Sequence, residues 1–140
     1  GLQYARKNRL PKPIANFIPE HQGTLKMGYF FQKAKEKNLK INENDFRYKG
    51  PIPQSKETAI LMLADGCEAA LRAMNINASD NEALETISRI IYSRKKDGQL
   101  DNSNLSKGEI FLIKRAFLNV WKRIRHRRIQ YPTTKNNTFS

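Results

Sequence analysis

The sequence runs to 140 residues, enough for one compact domain with a real core and too short for two. Its 39% hydrophobic and 28% charged residues exclude a chain disordered throughout, and its single cysteine, Cys67, excludes a disulfide framework or a cysteine-rich zinc cage. Lys and Arg number 26 against 13 acids, and the resulting net charge of +13 draws nucleotides, nucleic acid or acidic membrane faces without choosing among them.

Gly1 to Arg9 reads as the last turns of a helix and carries no signal-peptide pattern, so the chain is expected to begin inside a domain. Pro11 and Pro13 interrupt it, and Pro13 suits the first turn of a short helix through Ile14, Phe17 and Ile18 that ends near His21-Gln22-Gly23. Thr24 is expected to cap a third helix running to about Lys37, followed by a loop, residues 38–54, stiffened by Pro51 and Pro53. Ser55 opens the strongest helix, with Glu57 in its first turn and Ile60, Leu61, Leu63, Ala64, Cys67, Ala70, Leu71 and Met74 around much of its circumference. That distribution predicts the central, most buried helix. Its longest apolar run, residues 59–64, is far short of the roughly 20 residues of a membrane span. Ser79-Asp80-Asn81-Glu82 and Ser106-Lys107-Gly108-Glu109 match the capping box and open two more helices, the first closed by Gly98. No stretch alternates as a strand would, and after Pro132 a polar tail, residues 133–140, is expected to be disordered. The pattern predicts an all-α fold.

The chemistry narrows by elimination. There is no glycine-rich phosphate loop, no Cys-x-x-Cys, and only two histidines. Asp65 falls within the most apolar helix, where a buried carboxylate must be paired with a cation, hydrogen-bonded or bound to a metal. His21, two residues before a glycine at a helix end, reads first as an exposed or C-capping histidine and second as an imidazole presented to a cleft. His126 lies among Lys122, Arg123, Arg125, Arg127 and Arg128, either the solvated basic end of an amphipathic helix or a patch for anions.

Three strings bear on these alternatives. They are Phe17-Ile18-Pro19-Glu20-His21-Gln22-Gly23-Thr24, Tyr29-Phe30-Phe31-Gln32-Lys33-Ala34-Lys35-Glu36, and the stretch from Phe46-Arg47-Tyr48 through Gly50-Pro51-Ile52-Pro53-Gln54-Ser55-Lys56-Glu57 to Leu63-Ala64-Asp65. Together with the Asp97-Gly98-Gln99-Leu100-Asp101 turn and the ending His126 to Pro132, they resemble the C-terminal half of the HD domain in the seven-transmembrane HD phosphohydrolases. These are the PgpH-like cyclic-di-AMP phosphodiesterases. The resemblance spans residues 1–132 and implies an all-α, HD-domain-like helical bundle, N-terminally truncated. It implies a cytoplasmic domain of a membrane-anchored parent that hydrolyses a cyclic dinucleotide, with the remainder of the HD domain and the membrane region as partners and no specific nucleic acid.

The same resemblance implies a dinuclear divalent transition metal centre, manganese or iron. His21 matches the first His of the family's His-His pair, and Asp65 matches the closing metal-ligand Asp. Gln22 stands where the second His is expected, a weaker donor, and the His-Asp dyad is expected before Gly1, so this stretch alone is expected to be inactive. Ser55, Lys56 and Arg72 are candidates for substrate phosphate. The competing reading is an inactive basic helical module that binds nucleic acid or acidic lipid through residues 122–128.

Overall fold

The computed structural model describes residues 19–37 and 42–130. The helices expected at residues 1–9 and 14–18 and the polar tail at 133–140 lie outside the described residues. Four helices follow in order: α1 (Gly28–Glu36), α2 (Lys56–Arg72), α3 (Asp80–Lys96) and α4 (Lys107–Gln130), with a 3₁₀ turn at Glu43–Phe46. Among the described residues one isolated antiparallel bridge, Lys26 with Arg47, is the sole extended pairing, so the all-α expectation holds.

The helix starts follow the local chemistry. Ser55 Oγ accepts from Thr58 N at 3.2 Å and caps α2. At α3 the Ser79 Oγ accepts from Glu82 N (3.1 Å) while Glu82 Oε1 accepts from Ser79 N (3.2 Å), and Ser106 and Glu109 repeat this exchange at α4 (3.1 and 3.0 Å). Both capping boxes are therefore formed as the sequence pattern requires. α3 ends in a Schellman arrangement: Gly98 takes φ +78°, its N–H donates to Lys95 O, and the Gln99 N–H donates to Arg94 O.

Thr24, expected to cap α1, does something else. The residue before α1 is Met27, which makes no side-chain cap, because residues 25–27 are drawn out against 46–48. Met27 N donates to Phe46 O, and Tyr48 N donates to Leu25 O. This extended pairing takes the backbone groups that a helix beginning at Thr24 would have used.

The chain divides into two compact units, one of Gly1–Leu63 with Arg94–Leu105 and one of Ala64–Ser93 with Ser106–Ser140. In the first, Ala34, Pro53, Ala59, Met62, Leu63 and Leu100 are buried, together with the amide side chain of Gln99, which is 0% exposed. In the second, Cys67, Ala83, Ile87, Ile91 and Leu118 form the core, and the Cys67 thiol donates to Ile87 O. Burying a side chain of the size of Ile87 stabilises a fold by about 1.5–3 kcal/mol.

α2 corrects the expectation of a helix buried over much of its circumference. Its buried positions, Ala59, Met62, Leu63 and Cys67, fall on one face at helical spacing, whereas Ile60 and Leu61 are each 37% exposed. Asp65 shares the exposed face with Leu61, Glu68 and Arg72, so it is not the carboxylate sunk among apolar neighbours that its sequence context predicts. The physical reason is register: Asp65 sits about 200° around the helix from Leu63 at 100° per residue.

Candidate functional site

The candidate ligand His21 and its neighbour Gln22 occupy a turn, residues 21–24, directly after the helical residues Pro19 and Glu20. The turn is closed by Gly23 N–H donating to Glu20 O (3.0 Å) and Leu25 N–H donating to Gln22 O (3.1 Å). Gly23 has φ +51°, and a β-carbon there would lie 2.5 Å from Gln99 Oε1 and 2.7 Å from Met62 Cε, so glycine is required both by conformation and by space.

Both ends of this turn are tied down. On its leading side the buried Glu20 carboxylate accepts, through one oxygen, the Gln54 N–H (3.0 Å) and the Thr58 hydroxyl (3.1 Å), which fastens it to the start of α2. On its trailing side the Gln99 amide accepts from Thr24 N (3.0 Å) and donates to Thr24 Oγ1 (2.9 Å) and Asp97 Oδ2 (3.0 Å). Arg47 completes the set. Its guanidinium donates to Thr24 O (2.8 Å) and grips both Asp97 oxygens at 3.0 and 3.1 Å, a two-pronged geometry only arginine provides. Hydrogen bonding from Arg47, opposed by partial burial and assisted by Gln99, holds the Asp97 carboxyl below the usual carboxylate range, and Asp97 in turn raises the Arg47 guanidinium. Lys26 lowers the Glu43 carboxyl through its 2.9 Å ion pair.

The other sequence-derived candidates are dispersed. Asp65 projects from the exposed face of α2. Ser55 and Lys56 stand together at the start of α2, where the Ser55 hydroxyl is engaged by Thr58 N and lies 2.9 Å from Thr58 Oγ1. Arg72 is at the far end of that helix, about 25 Å along the axis at 1.5 Å per residue, so one phosphate cannot take both ends. It pairs with Glu68 (3.4 Å) and borders an apolar groove of about 380 Å³ in the second unit, lined by Leu71, Met74, Phe117 and Trp121. Among the described residues no group of three or more His, Cys, Asp or Glu side chains converges as a complete metal cage would.

No protein-family model matches the chain. Individual proteins do. It is 38% identical over 136 residues to the cyclic-di-AMP phosphodiesterase PgpH of Listeria monocytogenes, covering 97% of this chain and 19% of that protein. It is also 38% identical over 132 residues to PgpH of Bacillus subtilis, covering 94% and 18%. An uncharacterised Synechocystis protein is 45% identical over 137 residues, covering 94% and 17%. The crystal structure of the Listeria PgpH HD domain in complex with cyclic-di-AMP superposes with a TM-score of 0.81 at 35% identity, over 88% of this chain and 57% of that one. The same domain in a second crystal structure gives 0.79 at 34% identity, over 89% and 58%. The chain is homologous to the PgpH HD domain. It spans less than a fifth of the length of the curated PgpH relatives and somewhat more than half of the solved HD domain.

The PgpH homology confirms the resemblance read from the three strings and the all-helical fold that it implied. It lends nothing to the basic-module alternative. In the face at residues 122–128, Lys122 and Arg125 both approach Asp80 at 3.5 Å, and Arg125 stacks over the Trp121 ring at 5.3 Å. Among the described residues no helix is long and apolar enough to cross a membrane.

Sequence reasoning passed over Glu20, Arg47 and Gln99, although all three lie in the quoted PgpH-like strings. A usable signal was present in the polar residues on either side of His21-Gln22-Gly23, Glu20 and Thr24. A buried carboxylate demands partners, and a Thr that does not cap a helix must spend its hydroxyl elsewhere. Their partners, up to 75 residues away, could not be read from spacing.

Proposed function

We propose that this chain is part of an HD-type, metal-dependent phosphodiesterase that opens cyclic-di-AMP, carried on the cytoplasmic side of a membrane-anchored parent. The observation that carries the proposal is the His21 turn, fastened at both ends, in a chain homologous to an HD domain solved with cyclic-di-AMP. Imidazole and carboxylate are the donors a manganese or iron ion accepts, so His21 and Asp65 are proposed as ligands, with Gln22 a weaker oxygen donor beside His21. The chain supplies part of a dinuclear set, the remainder belonging to parts of the parent beyond these residues, and by itself is expected to be inactive. A divalent ion contributes Lewis-acid polarisation of the phosphodiester and a nucleophilic water at neutral pH.

The chain's own residues position and attract. The turn fixes the backbone from which the His21 imidazole extends. Lys56, and Ser55 through the helix start that it caps, are proposed to favour an approaching phosphate by charge and by the α2 dipole. Arg72, bound to Glu68 at the other end of α2, is proposed to act on no phosphate held at that start.

The test uses the full-length protein that contains these residues. Manganese titration by calorimetry and hydrolysis of cyclic-di-AMP are measured for wild type, His21→Ala and Asp65→Ala. Loss of both binding and turnover in each variant supports the assignment, and retention of both in either variant removes that residue from it. Gln22→His is expected to tighten manganese binding. Salt-sensitive nucleic-acid or lipid binding lost on neutralising Arg123, Arg125, Arg127 and Arg128, with no metal binding at all, would establish the basic module instead.

A further inference from the structure

The Asp97-Gly98-Gln99 turn belongs to the PgpH-like strings, yet the proposed chemistry gives it no task. Its side chains all point to one place. Thr24 lies three positions after His21 and has its N–H, its hydroxyl and its carbonyl each bonded, the first two to Gln99 and the third to Arg47. Gln99 is fully buried and uses its oxygen once and its nitrogen twice, which fixes the orientation of the amide, since only the NH₂ end can donate to Asp97. Arg47 then locks Asp97 through both of its oxygens.

On the other side of His21, Glu20 is a carboxylate only 7% exposed, with two donors from the start of α2 on one oxygen. Burying an amide and a carboxylate is costly unless each is satisfied, and a plain connection between two helices needs neither. Surface turns are ordinarily among the most mobile parts of a fold. Here five side-chain hydrogen bonds and a glycine with no room for a β-carbon hold a six-residue stretch, 20–25, that carries the His21 imidazole.

We infer that Glu20 and Gln99 are positioning residues for His21, the first anchoring its backbone to α2 and the second, through Thr24, to the turn after α3. The inference rests on the reading of His21 as a metal ligand. Groups that orient a ligand without touching the metal commonly change affinity by about 10–100-fold when removed.

The experiment uses the full-length protein with two independent readouts, manganese affinity by calorimetry and the His21 imidazole ¹H–¹⁵N signal of the metal-free protein. Glu20→Ala removes both acceptor contacts, Glu20→Gln keeps an oxygen in the same place, and Thr24→Val removes the hydroxyl that Gln99 holds while preserving volume. Thr24→Val serves because substitution of the fully buried Gln99 itself risks unfolding. Glu20→Ala and Thr24→Val are expected to weaken manganese binding about tenfold or more and to broaden or split the His21 signal, with unchanged circular dichroism. Glu20→Gln is expected to restore most of both. Wild-type affinity and a single sharp His21 signal in folded Glu20→Ala and Thr24→Val overturn the inference, as does an equal loss in Glu20→Gln and Glu20→Ala. A wild-type protein that binds no manganese, but whose His21 signal splits in the variants, upholds the anchoring and refutes the hydrolase reading.

Discussion

Replacing Gly23 by alanine tests the packing of the His21 turn most directly. At φ +51° a residue with a β-carbon costs about 1–2 kcal/mol relative to glycine. The new carbon would stand 2.5 Å from Gln99 Oε1, so the amide must withdraw and release the Thr24 N–H, a further loss of about 1 kcal/mol. Met62 Cε, at 2.7 Å, is the end of a flexible chain and yields at small cost. The sum is about 2–3 kcal/mol. Gly98→Ala is the matched control: it has the same left-handed backbone, φ +78°, but its β-carbon meets only Asp101 Oδ2, at 3.2 Å, and Asp101 Cγ, at 4.0 Å. Urea unfolding followed by circular dichroism should place the Gly23→Ala midpoint about 1 M below wild type for an m-value of about 2 kcal/mol/M. The Gly98→Ala midpoint should lie between the two. A Gly23→Ala protein no less stable than Gly98→Ala would refute the view that Gln99 fills the space beneath this turn.

Two further outcomes follow from the geometry. Because Arg47 lowers the Asp97 carboxyl below its ordinary value of 3.8, the pair's stabilisation is complete above that pH and is lost as the pH falls through the lower folded-state value. The gap in melting temperature between wild type and Asp97→Asn, measured by calorimetry, should therefore be constant from pH 7 to 5 and narrow below about pH 4; a gap that widens in acid contradicts the pairing. Ser79→Ala and Ser106→Ala should each cost about 1 kcal/mol in urea unfolding, with the glycine substitutions milder by more than half, and no change in either would mean that the boxes are not maintained in solution.

What could be read from the sequence was whatever is local. Ser55, Ser79 and Ser106 announce their helices through partners three residues away, and Gly98 announces an end through its own backbone. Two expectations failed where distant chain intervened. Thr24 is drawn from a cap into a bond with Gln99, and Asp65 is exposed because the buried face of α2 runs through Met62, Leu63 and Cys67. For the candidate site, His21, Gln22 and Asp65 are proposed from the matched strings. Glu20 and Gln99 are not, since their importance lies in burial and in partners that only folding brings near.

The bond between Thr24 and Gln99 joins residues 75 positions apart, and its order of formation has a consequence for synthesis. As the chain leaves the ribosome, the segment with the imidazole emerges early but cannot adopt its final form until the turn after α3 has followed it. Contacts of such high sequence separation form late and slow the folding of the region that contains them. A premature stop codon anywhere between the two would therefore yield a product whose His21 turn lacks the Gln99 anchor.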